Sequence, residues 1–352
     1  MKSSKGNFTI RKKSIKMLLK RFLEEYIVYG PVKTGADSKF DKIKSIEQLH
    51  LDYISTVLPP KKFFHPPKEI LFSFEKINSK FNIAEERQDK KILIFGIHPC
   101  DIHAILKLDK FFSGNFKDQY YRNRRKNSVL VALNCIEPDK YAFCYSMSTG
   151  PFLEDGYDIL LTDLGTKYLI ETGSKVGIGL VNELNLTKAT KTDFQKKNSL
   201  KKRAEKKIKK VMDTSKLSKI AEKNLDHHVW LDLGECGGVA GSFPCLSCGS
   251  CTFVCPTCYC YDVYDSMDFS LKRGDRRREL DSCQLLEYGE VALGSNFRRE
   301  RKDRIRHWML CKFGAAAGGK NSSCVGCGRC IRVCPSKIDI TEVAKVIRGD
   351  KI

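Results

Sequence analysis

Two cysteine-rich runs decide how the second half of this chain folds, CLSCGSCTFVCP at 245–256 and CVGCGRCIRVCP at 324–335. Both read C-x2-C-x2-C-x3-C-P, which is the spacing of bacterial-type [4Fe–4S] ligation. Three thiolates two residues apart fit a tight turn around three corners of an iron–sulfur cube, and the fourth cysteine follows one helical step later. Proline then ends the local backbone pattern and removes a donor that would need a partner. The two runs therefore predict two [4Fe–4S] clusters.

The fourth cysteine of each run is expected to serve the other cluster, as it does in two-cluster ferredoxins. The predicted ligands are Cys245, Cys248, Cys251 and Cys334 for one cluster, and Cys324, Cys327, Cys330 and Cys255 for the other. This crossed arrangement joins the two runs and places the clusters close enough for electron transfer.

A zinc site is the alternative interpretation of these cysteines. Zinc sites usually pair two C-x2-C units across a longer loop, often with histidine as a further ligand. A triple cysteine turn that is closed by Cys-Pro, and that occurs twice, fits that pattern poorly. A disulfide framework is also disfavoured, because 352 residues far exceed the small secreted domains that depend on disulfides.

The composition is that of an ordinary globular protein. A hydrophobic fraction of 41% in 352 residues permits two or three domains with real cores. The first residues, MKSSKGN, carry charge but no apolar stretch, so they do not form a secretory signal, and no apolar run approaches membrane-spanning length. Sixteen cysteines without an export signal indicate a reducing compartment, and we expect a cytoplasmic protein.

The net charge of +21 restricts the choice of partners. Such a surface suits nucleic acid, an anionic membrane or an acidic protein. The lysines concentrate between Leu186 and Leu225, without the interleaved aromatic side chains that stack on bases. We therefore interpret this lysine-rich segment as solvated helix faces that dock acidic partner subunits. The alternative function is a cluster-bearing regulatory protein that binds nucleic acid or an anionic surface through these helices.

The first half of the chain has the pattern of an α/β domain. ILIFGI at 92–97 and SVLVAL at 128–133 are short apolar runs that predict buried strands, and helical apolar spacing follows the first of them. Further strands are predicted at 157–161, 168–171 and 175–180. Cys100 and Cys135 come directly after the first two strands, and open α/β sheets hold their sites at such strand ends.

The predicted organisation has three parts: an α/β domain at 1–185, a basic helical linker at 186–226 and a cluster domain at 227–352. Residues 256–323, between the cysteine runs, are basic and polar without long strand patterns, so we expect mostly helices packed around the clusters. The predicted fold class is therefore α+β and multidomain, with an α/β domain followed by a mostly helical dicluster domain of ferredoxin type.

Several motifs resemble one known family. They are CPTCYCYDV at 255–263, RRRELDSC at 276–283 and CVGCGRC at 324–330, with FGIHPCD at 95–101 and Asn134-Cys135 upstream. These stretches resemble the beta subunit of cytoplasmic sulfhydrogenase-type NiFe hydrogenases, a family that also includes the A subunit of anaerobic sulfite reductase. The resemblance implies an electron-transfer subunit of a hetero-oligomer, without catalytic residues of its own. It would connect a flavin subunit that handles NAD(P)H with a separate catalytic subunit.

The chain departs from the family pattern at several positions. The family's N-terminal cysteine doublet is reduced to Cys144, with Ala142 where a cysteine is expected. Leu280 replaces the usual aromatic residue before Asp-Ser-Cys. Cys236 and Cys311 are additions, and we interpret both as small buried hydrophobes.

A third cluster is a further possibility, because eight cysteines lie outside the two runs. Two sets of three are available: Cys100, Cys135 and Cys144, or Cys258, Cys260 and Cys283. A [4Fe–4S] cluster normally needs four thiolates, and each set offers three. The sequence leaves both sets open.

Residues inside the cysteine loops are candidates for tuning the clusters. Gly249, Gly326 and Gly328 let backbone N–H groups approach the cluster sulfurs without steric cost. Hydrogen bonds to sulfur and nearby positive charge raise a reduction potential. Arg329 and Arg332 are therefore either tuning charges or plain surface charge.

A stand-alone reductase, with a substrate pocket in the α/β domain, is a third functional hypothesis. His98 and His103 flank Cys100 there, as ligands, as proton carriers or, more often for such residues, as structural groups. No nucleophile with a positioned base and no flavin or nicotinamide signature accompanies them. Redox transfer by the clusters themselves is therefore favoured.

Overall fold

A computed structural model describes residues 6–78, 80–85, 90–182, 184, 186–314 and 322–350; the start of the chain, read above for an export signal, lies partly outside them. The strands are β1 (Asn7–Arg11), β2 (Ile27–Thr34), β3 (Asp37–Lys42), β4 (Lys68–Ile77), β5 (Lys80–Glu85), β6 (Ile92–Ile97), β7 (Ser128–Leu133), β8 (Ile159–Asp163), β9 (Lys167–Thr172), β10 (Thr187–Lys188), β11 (Tyr261–Met267) and β12 (Arg273–Leu280). The helices are α1 (Ile15–Glu25), α2 (Pro99–Phe112), α3 (Gln119–Lys126), α4 (Lys175–Asn182), α5 (Lys191–Lys207), α6 (Leu217–Lys223), α7 (Val229–Leu231), α8 (Ser250–Phe253), α9 (Arg301–Phe313), α10 (Arg329–Val333) and α11 (Ile340–Arg348).

An eight-stranded mixed sheet forms the frame of the first half, with strand order β10-β1-β9-β8-β7-β6-β2-β3. The central strands β2, β6, β7 and β8 are parallel, and antiparallel strands flank them on both sides. The strands predicted at 92–97, 128–133, 157–161 and 168–171 correspond to β6, β7, β8 and β9. Because β6 and β7 are parallel neighbours, Cys100 and Cys135 follow them at the same edge of the sheet.

Helices cover both faces of this sheet, which explains why its central strands are continuous apolar runs. All six residues of β7 are buried. Leu18 and Phe22 of α1 belong to the core on one face, and Ile102 and Ile105 of α2 belong to the core on the other.

Residues 175–180 form a helix, so the strand predicted there is wrong. α4 buries Gly177, Leu180 and Val181, which share one helical face. A Cβ added to Gly177 would lie 1.9 Å from the carbonyl oxygen of Asp158. The glycine therefore lets a helix pack directly against the chain that enters β8. The period of a short apolar run does not reveal such a contact.

A second, antiparallel sheet has the strand order β11-β12-β4-β5 and combines strands from distant parts of the sequence. The expectation of mostly helices across 256–323 is wrong for β11 and β12, although α9 lies in the same stretch. Charged pairs replace apolar alternation in this hairpin and hide its strand pattern. Arg276 donates two hydrogen bonds to Asp265, at 2.8 and 2.7 Å, and the buried Arg278 binds Glu69 of β4 at 2.8 and 2.6 Å.

The lysine-rich segment contains α5 and α6, and β10 at its start pairs with β1 of the large sheet. The domain boundaries at 186 and 226 stay a prediction. The second sheet contains strands from both sides of them, β4 and β5 from one side and β11 and β12 from the other.

The second half has its own core, in which Trp230 and Trp308 pack with residues of α6, α9 and α11. Cysteines of both runs contact this core, among them Cys251 and Cys330. The α+β, multidomain fold class is confirmed. None of the described helices is long and apolar enough to cross a membrane.

Candidate iron–sulfur sites

The first cysteine run folds around a cavity that the second run closes. Cys245, Cys248 and Cys251 line this first cavity together with Cys334. Gly249, whose φ is +75°, permits the tight turn that leads from Cys248 into α8. The local turn thus directs three thiols of one run toward a common space.

A second cavity lies beside the first. Cys324, Cys327 and Cys330 line it together with Cys255. Cys330 lines both cavities, so they share a wall. Each fourth cysteine therefore borders the cavity of the other run, which is the place that crossed ligation requires. Ligation of iron by these eight thiols stays a prediction.

The spacing of the thiols bears on the zinc alternative. A single zinc ion needs its ligands gathered around one centre, whereas a cube spreads its four thiolates over four corners. Among the residues that the structure describes, no three His, Cys, Asp or Glu side chains are grouped closely enough to hold a single metal ion.

Backbone N–H groups point at several of the sulfur atoms, and one of them is the N–H of Ile338, which lies 3.4 Å from Sγ of Cys334. The N–H of Ser247 lies 3.3 Å from Sγ of Cys245, and the N–H of Gly326 lies 3.3 Å from Sγ of Cys324. A hydrogen bond of this kind stabilises a thiolate and raises the potential of a bound cluster. The contact at Gly326 agrees with the role that the sequence suggests for the loop glycines.

Burial keeps most of these thiols protonated until they bind a metal. It raises the pKa of Cys251 and Cys330 well above the ordinary value, and that of Cys324 to about 12. Cys255 differs, because a hydrogen bond with Cys258 lowers the pKa of Cys255 well below its usual range. Iron bound in the cavities would convert the thiols to thiolates, since only thiolates are good metal ligands.

Two buried lysines next to the second cavity were not identified from the sequence. Lys312 of α9 lines the cavity and donates to Oγ1 of Thr257 at 3.2 Å, and Lys61 donates to the carbonyl oxygen of Cys258 at 2.6 Å. Burial lowers the pKa of Lys61. Burial is also the largest single influence on Lys312 and acts in the same direction, but the nearby sulfur atoms of Cys255, Cys258, Cys311 and Cys324 together outweigh it and raise the pKa of Lys312 well above normal. A lysine in a lysine-rich sequence carries no signal of such burial.

Arg329 lies inside the protein, so the surface-charge interpretation is wrong for this residue. Its side chain is 2% exposed and donates to Asp101 at 2.6 and 2.8 Å. Its Nε also donates to the carbonyl oxygen of Thr56 at 2.8 Å. Arg332 is partly buried, and its Nη1 lies 3.5 Å from Oδ2 of Asp139.

The first of the two extra cysteine sets comes together in the structure. Cys100, Cys135 and Cys144 line a third cavity at the carboxyl edge of β6 and β7, and Cys327 of the second run lines it too. The segment that carries Cys144 is attached to the second run, because the N–H of Phe143 donates to the carbonyl oxygen of Gly326 at 2.8 Å.

The second extra set divides into two close contacts. Cys258 is hydrogen-bonded to Cys255, a predicted cluster ligand, while Cys260 is hydrogen-bonded to Cys283. The bond with Cys283 is the main cause that lowers the pKa of Cys260 to about 6.

The two cysteines that depart from the family pattern have different surroundings. Cys236 is exposed, so its interpretation as a buried hydrophobe is wrong. Cys311 is partly buried, and its Sγ lies 3.5 Å from Nε2 of His307.

Residues 244–338 match the family model of the 4Fe-4S dicluster domain. This match covers both cysteine runs, whose thiols line the first two cavities. The class of the protein is thereby defined: it is an iron–sulfur protein with a [4Fe–4S] dicluster domain.

The chain is also 39% identical over 325 residues to Sulfhydrogenase 2 subunit beta from Pyrococcus furiosus, and the match covers 91% of this chain and 92% of that protein. It therefore belongs to the family of sulfhydrogenase beta subunits, which confirms the family predicted from the motifs. Membership and the dicluster domain together make it an iron–sulfur electron-transfer subunit. No solved structure matches this chain.

Proposed function

We propose that the chain carries electrons between a flavin subunit that handles NAD(P)H and a catalytic metal subunit, of hydrogenase or sulfite reductase type, within a cytoplasmic complex. The main supporting observation is that Cys330 lines both cavities of the cluster domain. Clusters in these two cavities would be neighbours, so an electron could pass between them inside the protein. The name of the Pyrococcus furiosus relative favours the hydrogenase type.

The ligands in this proposal follow the walls of the cavities. Cys245, Cys248, Cys251 and Cys334 hold the first cluster, and Cys324, Cys327, Cys330 and Cys255 hold the second. Each cluster takes up one electron and passes one on, so two successive transfers empty a flavin that carries two. The chain itself contributes ligands and surroundings, and no catalytic residue.

The two cavities differ in their access to solvent, which gives the relay an outer end. Cys248 of the first cavity is exposed, and the neighbouring Leu246 is 61% exposed. Phe243 also shows most of its surface. Exposed apolar side chains around a redox centre suit contact with a partner protein. Cys324 of the second cavity is buried, so we assign the contact with one partner subunit to the first cluster.

Iron content and spectroscopy test the two clusters. The full chain, purified without oxygen, should contain at least about eight irons, four for each of these two clusters. After reduction its paramagnetic resonance spectrum should show two interacting cubane clusters. A colourless protein with stoichiometric zinc would contradict the proposal.

Crossed ligation is tested by comparing cysteine variants. Cys255→Ala should leave the same residual spectrum as Cys324→Ala, because both remove a ligand of the second cluster. It should differ from Cys251→Ala, although residues 251 and 255 belong to one run. Cys236→Ala is the control and should keep the wild-type spectrum, since this thiol is exposed and lies outside the three cavities. If Cys255→Ala resembled Cys251→Ala instead, each run would hold its own cluster.

The partners are tested by purifying the chain from its native source. A flavoprotein and a metal-containing catalytic subunit should accompany it, and the isolated chain should accept electrons without turning over a substrate. Turnover by the isolated chain with only an electron donor would favour a stand-alone reductase.

A further inference from the structure

We propose that the third cavity binds a third iron–sulfur cluster through only three thiolates, those of Cys100, Cys135 and Cys144. The three residues come from separate segments of the sequence, yet they border one cavity at the carboxyl edge of two parallel strands. Parallel strand ends are the usual position of a site in an open α/β sheet. The proposal goes beyond the two-cluster relay, and its failure would leave that relay intact.

Contacts with distant parts of the chain fix the backbone at two of the three cysteines, Cys100 and Cys135. Cys100 lies in the first turn of α2, next to Asp101, whose ion pair with Arg329 ties that turn to the second cysteine run. The backbone N–H of Cys135 donates to the carbonyl oxygen of Pro151 at 3.1 Å. The backbone that carries these two cysteines is therefore held in place before any metal binds, as a cofactor site requires.

The third cysteine is fixed by close backbone packing. A Cβ added to Gly326 would lie 2.7 Å from Cα of Cys144, and one added to Gly328 would lie 2.5 Å from the carbonyl oxygen of Tyr141. Both glycines also have positive φ, +62° and +77°. Only glycine permits this approach, so the segment that carries Cys144 lies directly on the second cysteine run.

The set is limited to three thiolates because no other lining residue supplies a free cysteine, and His98, which also lines the cavity, offers an imidazole and not a thiolate. Cys327 lines this cavity but also the second one, where it is a proposed ligand. Ala142 stands on the wall without a donor atom. The carboxylate of Asp139 is engaged, since its Oδ1 accepts from the N–H of Tyr141 at 2.9 Å and its Oδ2 faces Arg332. One corner of a cube would therefore lack a protein sulfur, and the iron at that corner would be the first to leave.

The position of the third cavity next to the second one suits a redox role. The first and second cavities share Cys330, and the second and third share Cys327. The three cavities thus form a row from the exposed Cys248 to the α/β domain. A cluster in the third cavity would extend the electron path by one step.

The experiment measures iron and sulfide in the full chain, purified without oxygen and reconstituted with inorganic iron and sulfide. Wild type should contain about three or four irons more than the eight of the two other clusters. Cys135→Ala and Cys144→Ala should each lose this additional iron. Both should keep the reduced-state spectrum of the two other clusters, which shows that the variants fold. Cys236→Ala should lose nothing.

A gain of a fourth thiolate provides the second test. On brief exposure to air, wild type should lose the weakly held iron and show the signal of an oxidised three-iron cluster. Ala142→Cys should suppress that signal and keep its iron, because the added thiolate holds the open corner. Wild-type iron of about eight, four for each of two clusters, with no change in Cys135→Ala and Cys144→Ala, would overturn the proposal. Zinc lost in the same two variants would overturn it as well.

Discussion

Arg329 and Asp101 form a buried, bidentate ion pair between the second cysteine run and the first turn of α2. Nη1 and Nη2 of the arginine donate to Oδ1 and Oδ2 of the aspartate at 2.6 and 2.8 Å, and the side chains are 2% and 1% exposed. The pair joins the α/β domain to the cluster domain at a point where neither charge reaches water. Such a pair is tolerated only while both partners are present, because an unpaired buried charge is costly.

Removal of one partner of this pair should destabilise the whole protein. Asp101→Asn leaves the Arg329 guanidinium without its counter-charge, and the expected loss in the free energy of unfolding is about 3–5 kcal/mol. Urea unfolding of the cluster-loaded chain, followed by tryptophan fluorescence, measures it. The control is Asp265→Asn, which breaks the exposed pair with Arg276 and should shift the midpoint far less. Equal shifts in both variants would show that burial of the pair has no energetic weight.

A methyl group at Gly326 should push the segment that carries Cys144 away from the second cysteine run. Gly326→Ala places Cβ 2.7 Å from the backbone of Cys144 at a φ of +62°, and we expect a loss of about 3 kcal/mol from strain and overpacking together. Gly35→Ala is a matched control, since Gly35 has a φ of +58° but nothing within 4 Å of an added Cβ. It should lose only about 1 kcal/mol. Comparable losses would mean that backbone conformation, and not the contact with Cys144, requires glycine at 326.

The buried charge of Lys312 should raise the reduction potential of the second cluster. Lys312→Met removes a positive charge from the cavity wall, so an added electron is less well stabilised. We expect the potential of that cluster to fall by roughly 100 mV, which corresponds to about 2 kcal/mol for one electron. A redox titration followed by paramagnetic resonance measures the shift. Lys312→Arg keeps the charge and should move the potential much less; an equal fall there would point to altered packing.

His65 should make the protein less stable in mild acid. Both ring nitrogens are buried and have no hydrogen-bond partner among the residues that the structure describes, and burial, together with Lys61, lowers the pKa of His65 from 6.5 to about 3. Between these values the unfolded chain binds a proton that the folded chain does not, so stability falls as the pH falls below about 6.5.

The variant His65→Phe should remove this pH dependence. Relative to the variant, wild type should lose about 2 kcal/mol between pH 7.5 and pH 5. Urea midpoints at the two pH values measure the difference. His228→Phe, at an exposed position, should keep the wild-type dependence. A wild-type slope in His65→Phe would assign the effect to other groups.

Features that depend on a few neighbouring residues were predictable. The two cysteine runs are local turns whose spacing alone indicates the cluster type, and the structure places their thiols around two adjacent cavities. The strands β6 and β7 were equally clear, because both faces are covered and every position is apolar or small.

Features that depend on unseen partners were missed. The stretch at 175–180 has the composition of a buried strand, yet it forms a helix. Because Gly177 has no side chain, this helix can pack directly against the backbone at Asp158. The hairpin of β11 and β12 lacks apolar alternation because ion pairs such as Arg276–Asp265 stabilise it. The sequence around Lys312 contains no pattern that indicates its burial.

The sequence by itself determined the kind of cofactor and the α+β class, since these follow from spacing and periodicity along short stretches. It also indicated the family, through motifs that resemble those of sulfhydrogenase beta subunits. Only the tertiary structure decided which distant residues meet. It brought Asp101 to Arg329, 228 positions apart, and gathered Cys100, Cys135 and Cys144 around one cavity. The physical reason is that such contacts arise from the packing of sheet edge, helix turn and cysteine loop against one another, and no local pattern records that packing.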